Sequence, residues 1–320
     1  MSSLRQDLQT AWGKRKLSAS VTALRMFHGP GESTHSSGKE LAIDRFQNHF
    51  WITAWKPIEK SALDEVIQFL KDQSASSNDS SAVFIERGET QLSVPLFGSP
   101  PSERFEVREG NLIARIQLVE TRQPGLFLDH APLRTWLQQN AKGWKVLNTF
   151  AYTGSLSVAC GLGGADSVLS LDLSKPSLEW AKENWLANSL PGERADFIYG
   201  DYFDWLPKFA KQGRKFDAVI LDPPSFSRGS KKSGSKEFST AKDLEKLHVL
   251  ALSVLNSGGY LITSINSANV SWKKFEAEIQ NAAKELKVRL QVLRKIELPE
   301  TFPAQTFEDA YLKGFIFRMS

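Results

Sequence analysis

From about Gly143 onward, short apolar runs alternate with longer stretches whose apolar residues recur at helical spacing, a pattern that predicts strand, helix, strand, helix. The strands are read in WKVLNTF, SVLSLDL, ADFIYGD, FDAVILDPP and GGYLITSI. The helices are read in SLSVACGLG, SKPSLEWAKENWLANS, DWLPKFAKQG and a stretch from about Thr240 to Leu255. Such alternation implies a mostly parallel sheet covered on both faces. Near the C-terminus VRLQVLRKIELP and AYLKGFIFRM read as an antiparallel pair at the sheet edge, which brings the strands to seven.

The chain before residue 120 follows a different pattern. A helical opening leads to the loop HGPGESTHSSGKE. LAIDRFQNHFWITAW then reads as two strands turning near Gln47 and Asn48, and SALDEVIQFLK places apolar residues at 62, 63, 66, 67, 69 and 70, one helical face. After the break SASSNDSS, short β-like runs (AVFIE, FEVRE, LIARIQLVE) alternate with turns. The expected organisation is a small α+β domain over 1–120 followed by a Rossmann-like α/β domain over 121–320.

Composition narrows the classes. A chain of 320 residues, 41% of them hydrophobic, has ample material for a core. With Cys160 as the single cysteine, an intramolecular disulfide and a cysteine-based zinc cluster are both excluded, and a reducing, cytoplasmic setting is expected without a structural metal. No apolar run approaches the ~18 residues of a membrane span. The net charge of +4 and pI near 9.0 are compatible with a polyanionic partner.

Open α/β sheets bind ligands beyond the carboxyl ends of their strands, so the strand ends are where chemistry is sought. The first ends in Asn148-Thr149-Phe150-Ala151-Tyr152-Thr153-Gly154, a tight turn into a helix, with Gly154 letting backbone approach a ligand closely. The second ends at Asp172, close to the ~20-residue offset at which a carboxylate meets ribose hydroxyls. The third ends in Gly200-Asp201, where Asp201 can accept from an adenine amine and Tyr202 or Phe203 can form an apolar wall. The fourth ends in Asp222-Pro223-Pro224-Ser225-Phe226; two prolines fix φ and remove two donors, making a rigid wall that presents Asp222 to a planar amine or amide edge and offers Phe226 for stacking. Singly, each Gly is an ordinary turn and each Asp an ordinary helix cap. In sheet order they outline an adenosine-shaped slot.

These segments also carry a resemblance. GLFLDH, the YTGS turn, GLGGA, a strand ending in Asp then Ser, LEWA and FDAVILDPPSF occur in the order found in the ribosomal RNA large-subunit methyltransferases, a family that includes 5-methylcytosine enzymes and a guanine-N7 enzyme; the chain resembles the guanine-N7 branch most. The similarity runs from about Leu41 to YLKGF. It implies a class I fold, S-adenosylmethionine as cofactor and 23S rRNA as partner, with residues 1–120 as an accessory substrate- or RNA-binding domain. By resemblance, Asn148, Phe150, Tyr152, Thr153 and Gly154 line the cofactor pocket, Asp172 and Ser174 serve the ribose side, Asp201 and Tyr202 the adenine, and Asp129 and Arg134 lie near the methionine end. Asp222, Pro223, Pro224 and Phe226 would face the acceptor base. Two departures stand out: the turn NTFAYTG is not glycine-rich, and Ala131 follows GLFLDH where the guanine-N7 branch has Arg.

Carbon-5 of a pyrimidine needs a cysteine thiolate added at carbon 6, and the corresponding stretch here, Thr263 to Asn269, holds none. Cys160 falls on the helix after the cofactor turn and reads as a small core residue. A ring nitrogen such as guanine N7 needs positioning instead. Asn266 is a candidate for reading a base edge, and Lys231, Lys232 and Lys236 in the basic loop after Phe226 are candidates for phosphate contact. A nicotinamide-dependent oxidoreductase would require G-x-G-x-x-G after the first strand, which this chain lacks. Methyl transfer onto protein, a small molecule or another RNA base, and a binding module that keeps the cofactor slot without catalysis, are the remaining readings.

Overall fold

A computed structural model describes residues 3–15, 18–75, 77–88, 92–224, 226–227, 238–267, 270–304 and 310–320. The chain divides into two compact units, Met1–Ala131 with Leu298–Gln305, and Pro132–Glu297 with Thr306–Ser320. The sequence places its boundary after residue 120; the units divide after Ala131, and a segment from between the last two strands joins the first.

The first unit contains α1 (Leu4–Lys14), β1 (Ala23–His28), the single turn α2 (Gly29–Glu32), β2 (Leu41–Phe46), β3 (His49–Ala54), α3 (Lys60–Gln73), β4 (Ser81–Glu86), β5 (Val94–Phe97), β6 (Phe105–Glu109) and β7 (Leu112–Ile116). Strands β1 to β5 form one sheet in sequence order, and β6 and β7 a separate hairpin. Leu8, Phe27, Ile43, Phe50, Ile52, Val66 and Phe69 fill the core between the sheet and helices α1 and α3. Beside it lie two ion pairs, Arg15–Glu32 and Arg25–Asp44. The same arginines hold the borrowed segment: Arg15 donates to the Thr301 carbonyl at 3.2 Å, and the Arg25 guanidinium stands 4.2 Å from the centroid of the Phe302 ring. A Cβ on Gly31 would lie 1.8 Å from the Pro303 carbonyl oxygen, which explains a glycine in GPGE.

The second unit begins within α4 (Ala131–Asn140) and continues through β8 (Lys145–Thr149), α5 (Ser155–Leu162), β9 (Ser167–Asp172), α6 (Lys175–Ala187), β10 (Ala195–Tyr199), α7 (Tyr202–Lys211), β11 (Phe216–Leu221), the short pair β12 (Phe226–Ser227) and β13 (Phe238–Ser239), α8 (Thr240–Ser253), β14 (Leu255–Asn266), α9 (Trp272–Glu285), β15 (Leu290–Ile296) and β16 (Leu312–Met319). The seven-stranded sheet has the order β10-β9-β8-β11-β14-β16-β15. Its first five strands are parallel, and β16 runs antiparallel to both neighbours. The expected architecture is therefore observed, a Rossmann-like α/β sheet with an antiparallel pair at one edge.

One sheet face packs Leu147, Leu171, Val219, Leu221, Leu261, Ile265, Phe315 and Phe317 with Leu206, Leu247, Phe275 and Ile279 from the helices. The opposite face carries a buried polar chain in which Asn148 donates to the Ser157 hydroxyl and Ser157 pairs with Ser170, each at 2.8 Å. The pattern missed α4 and α9. In α9 the signal was present: buried Trp272, Phe275, Ile279, Ala282 and Ala283 recur at three- and four-residue spacing.

Candidate functional site

Strand register decides which residues share an edge. Leu171, Thr149, Leu221 and Thr263 form one row across β9, β8, β11 and β14. One residue further on stand Asp172, Phe150, Asp222 and Ser264, while Asp172 is level with Tyr199, just before Gly200 and Asp201. The structure thus brings together the four tips that sequence singled out. At ~4.8 Å per strand, the backbones of Asp172 and Asp222 stand roughly 10 Å apart across β8.

The turn after β8 is wound tightly. Phe150, Tyr152 and Gly154 take left-handed φ of 54°, 49° and 72°. Side chains rarely tolerate this region, so surrounding contacts must hold Phe150 and Tyr152 there. The Phe150 ring stacks on Tyr202 at 5.2 Å, and the Tyr152 N–H donates to Asp172 Oδ2 at 2.8 Å. Thr153 is buried and its carbonyl accepts from Asn184 Nδ2 at 2.8 Å. Gly154 opens α5; a Cβ there would meet the Ala181 Cβ at 2.8 Å, so its absence permits close packing of the turn on α6.

Asp172 is half-buried, with its second oxygen accepting from Ser174 N–H at 2.8 Å. Burial pushes its carboxyl above the ordinary range, against the backbone N–H groups of Tyr152, Ser174 and Leu173, which pull it down. The helix cap of α6 is Ser174, whose hydroxyl accepts from Ser177 N–H at 3.2 Å. Asp172 is therefore oriented across the turn, with lone pairs left on both oxygens to accept hydroxyl donors.

Asp201 caps α7 through Oδ1, accepting from Phe203 N–H at 2.8 Å. Gly200 before it is required by Trp205: a Cβ would lie 2.0 Å from the indole Nε1. Tyr202 does not present a wall to solvent. It is buried, its hydroxyl donates to the Leu247 carbonyl at 2.6 Å, and burial pushes the phenol well above its ordinary range. Phe203 and Trp205, both half-buried near Asp201, are the partly exposed aromatic candidates there, and Trp205 was not singled out from sequence.

At the fourth tip Asp222 is half-buried, Pro223 buried and Pro224 exposed. The Ser264 hydroxyl donates to Asp222 Oδ1 at 2.6 Å, joining the ends of β11 and β14. Two residues along the same face of β14 is exposed Asn266. Behind the row, Thr263 bonds His248 Nε2 at 3.0 Å while His248 Nδ1 lies 2.6 Å from the Leu244 carbonyl. A carbonyl only accepts, so Nδ1 carries the proton and Nε2 accepts from Thr263. Burial pushes this imidazole down to about 4, with the Leu244 carbonyl pulling the other way. Ser264 and His248 were not identified from sequence; a serine near the end of an apolar strand carries no periodic signal.

Asn148 is buried against Ser157 beneath the turn, so its amide supports β8 and α5. Asp129, beside His130 at 3.1 Å, belongs to the first unit, and fully buried Arg134 to the second. The side chain of Phe226, and Lys231, Lys232 and Lys236, fall outside the described residues. Cys160 is buried, which pushes its thiol far up. Among the described residues no group of three or more His, Cys, Asp or Glu is placed to hold a metal ion, and no helix is long and apolar enough to cross a membrane.

A five-strand parallel run with carboxylates at the β9, β10 and β11 tips and an antiparallel penultimate strand in space defines a nucleotide-type α/β enzyme of the methyltransferase class. Comparison with known proteins makes this specific. The family model described as S-adenosylmethionine-dependent methyltransferase matches residues 24–318. A Bacillus subtilis protein named as a candidate ribosomal RNA large subunit methyltransferase, YwbD, is 31% identical over 88% of this chain and 70% of its own. Ribosomal RNA large subunit methyltransferase I of Photobacterium profundum is 30% identical over 86% of this chain and 70% of its own. The K/L enzyme of Syntrophotalea carbinolica is 38% identical over 56% of this chain and 24% of its own length. A candidate methyltransferase solved in complex with SAH superposes with a TM-score of 0.89 at 28% identity, covering 98% of this chain and 80% of that one.

The chain belongs to the S-adenosylmethionine-dependent methyltransferase family. It is an enzyme of that class, and S-adenosylmethionine is its cofactor. The residues fit such a ligand: at the β9 and β10 tips the oriented Asp172 and Asp201 carboxylates keep acceptor capacity matched to hydroxyl and amine donors.

Proposed function

We propose that this enzyme methylates a base of large-subunit ribosomal RNA, and that the acceptor atom is guanine N7. The substrate class rests on relatives named as large-subunit enzymes I and K/L. The observation that carries the acceptor site is the Asp222 carboxylate at the β11 tip, held by Ser264 and followed by two prolines. In this reading Tyr152, Thr153 and Gly154 form the cofactor turn, Asp172 accepts the ribose hydroxyls and Asp201 the adenine amine, with Ser174 holding Asp172. The first unit serves as the RNA-binding module.

When bound, S-adenosylmethionine supplies an electrophilic sulfonium methyl group. Guanine N7 has an in-plane lone pair and loses no proton on methylation, so the chain supplies orientation and a counter-charge and needs no general base. Asp222 accepts from guanine N1–H or the 2-amino group and offsets the positive charge that the base acquires. Ser264 fixes the carboxylate rotamer, and Asn266 reads the base edge. The entombed Cys160 suits this direct route, since a thiol so buried is no nucleophile.

Asp222→Ala is expected to lower kcat on rRNA from cells lacking the enzyme by about 100-fold or more while leaving calorimetric affinity for S-adenosylhomocysteine within about threefold. Full turnover in this variant would remove Asp222 from the acceptor site.

A further inference from the structure

The outer edge of the seven-stranded sheet is formed by β15, and nearly all of it faces solvent: Gln291, Val292, Leu293, Arg294 and Lys295 are exposed, with Val292 and Leu293 at 37% and 45%. Within 284–297 there are five cations, Lys284, Lys287, Arg289, Arg294 and Lys295, against two carboxylates, Glu285 and Glu297. All five cations are exposed. Lys295 is drawn back over Trp272 and Phe315 at 5.2 and 6.0 Å from the ring centroids. The other four make no ion pair or ring contact among the described residues, so their charge is directed to solvent or to a partner.

Register ties this edge to the proposed acceptor site. Lys295, Phe315, Thr263 and Leu221 lie in one row across β15, β16, β14 and β11, and Asp222 follows directly. Three strand spacings put the β15 backbone roughly 14 Å from that of Asp222, and the five residues Leu290 to Arg294 extend about 16 Å away from that row. At ~3.4 Å of rise per nucleotide this length matches about five nucleotides.

An exposed strand edge can also pair with another strand. Two features oppose pairing with a second copy of this chain: the register of β15 breaks between Val292 and Arg294, and the excess of cations over 284–297 makes two such edges repel. A polyanionic strand meets neither obstacle. We propose that the β15 edge with Arg294, continued by Lys284 at the end of α9 and by Lys287 and Arg289 in the turn between α9 and β15, is a docking rail for the phosphate backbone of the RNA that flanks the target base. The proposal rests on the rRNA reading and locates the contact.

The test is a variant with Lys284→Gln, Lys287→Gln, Arg289→Gln and Arg294→Gln, leaving Lys295 and the aromatic core intact. RNA affinity is measured from low to moderate salt alongside S-adenosylhomocysteine affinity, thermal unfolding and sedimentation. Loss of four phosphate contacts should reduce the slope of log K against log salt by about 3 and weaken binding by about tenfold or more at low salt, raising KM for RNA. Cofactor affinity, unfolding and kcat at saturating RNA should stay unchanged. An unaltered slope in a variant that binds cofactor normally overturns the rail, as does a wild-type dimer that the substitutions dissociate. If the wild-type enzyme binds and methylates no rRNA at all, the underlying reading fails instead.

Discussion

Phe150 and Tyr152 occupy left-handed backbone positions that a glycine-rich loop would fill without strain, and each costs on the order of 1 kcal/mol. Stacking of Phe150 on Tyr202 and the bond from Tyr152 N–H to Asp172 offset that cost, so aromatic packing and a carboxylate stand in for glycines. Sequence alone showed that NTFAYTG departs from the glycine-rich pattern; it could not show that Tyr202 turns inward, because an aromatic beside Asp201 suits a pocket wall and a core equally. Asp172 was legible from its offset after Gly154, yet its restraint by two backbone N–H groups from different segments was not. Each of its oxygens accepts from one such group, so an amide must turn its NH2 toward an N–H. Asp172→Asn should therefore cost about 1–3 kcal/mol of stability in urea unfolding and weaken S-adenosylhomocysteine binding at least tenfold. Wild-type affinity in that variant would remove Asp172 from the cofactor site.

At the scale of elements, α8 and β14 are joined by the Leu244–His248–Thr263 chain directly behind the row that ends in Asp222 and Ser264. The His248 ring is neutral in the fold because burial lowers its pKa from 6.5 to about 4. Between these values the unfolded chain binds a proton that the folded chain refuses, so stability is full above about pH 6.5 and falls as pH drops toward 4. Buried His28 in the first unit, pushed down to about 3 first by burial and then by Arg25, adds to the same window. The expected loss from His248 is about 2 kcal/mol between pH 7.5 and 5.0, read by urea unfolding at those two values. His248→Gln should flatten this dependence; an equally steep loss in the variant would show that His248 is not its source. Periodicity revealed α8 but not this chain, since a histidine on an apolar helix face gives no sign of its partner on a strand.

For the whole molecule, the parallel sheet was legible because buried strands are written as continuous apolar runs, and the site because ligands of such sheets meet strand tips. The borrowed segment Leu298–Gln305 was not: its anchors, Arg15 and Arg25, lie far away in sequence, and a loop between two strands carries no sign of the unit it joins. The fold and cofactor class place the chain among the S-adenosylmethionine-dependent methyltransferases, whereas the acceptor depends on Asp222, Ser264 and the absence of an accessible thiol. Mass-spectrometric comparison of 23S rRNA nucleosides from cells with and without this protein addresses that acceptor directly. Loss of one 7-methylguanine, restored by the wild-type enzyme but not by Asp222→Ala, is the predicted result. An unchanged 7-methylguanine content, or loss of 5-methylcytosine in its place, would contradict the account.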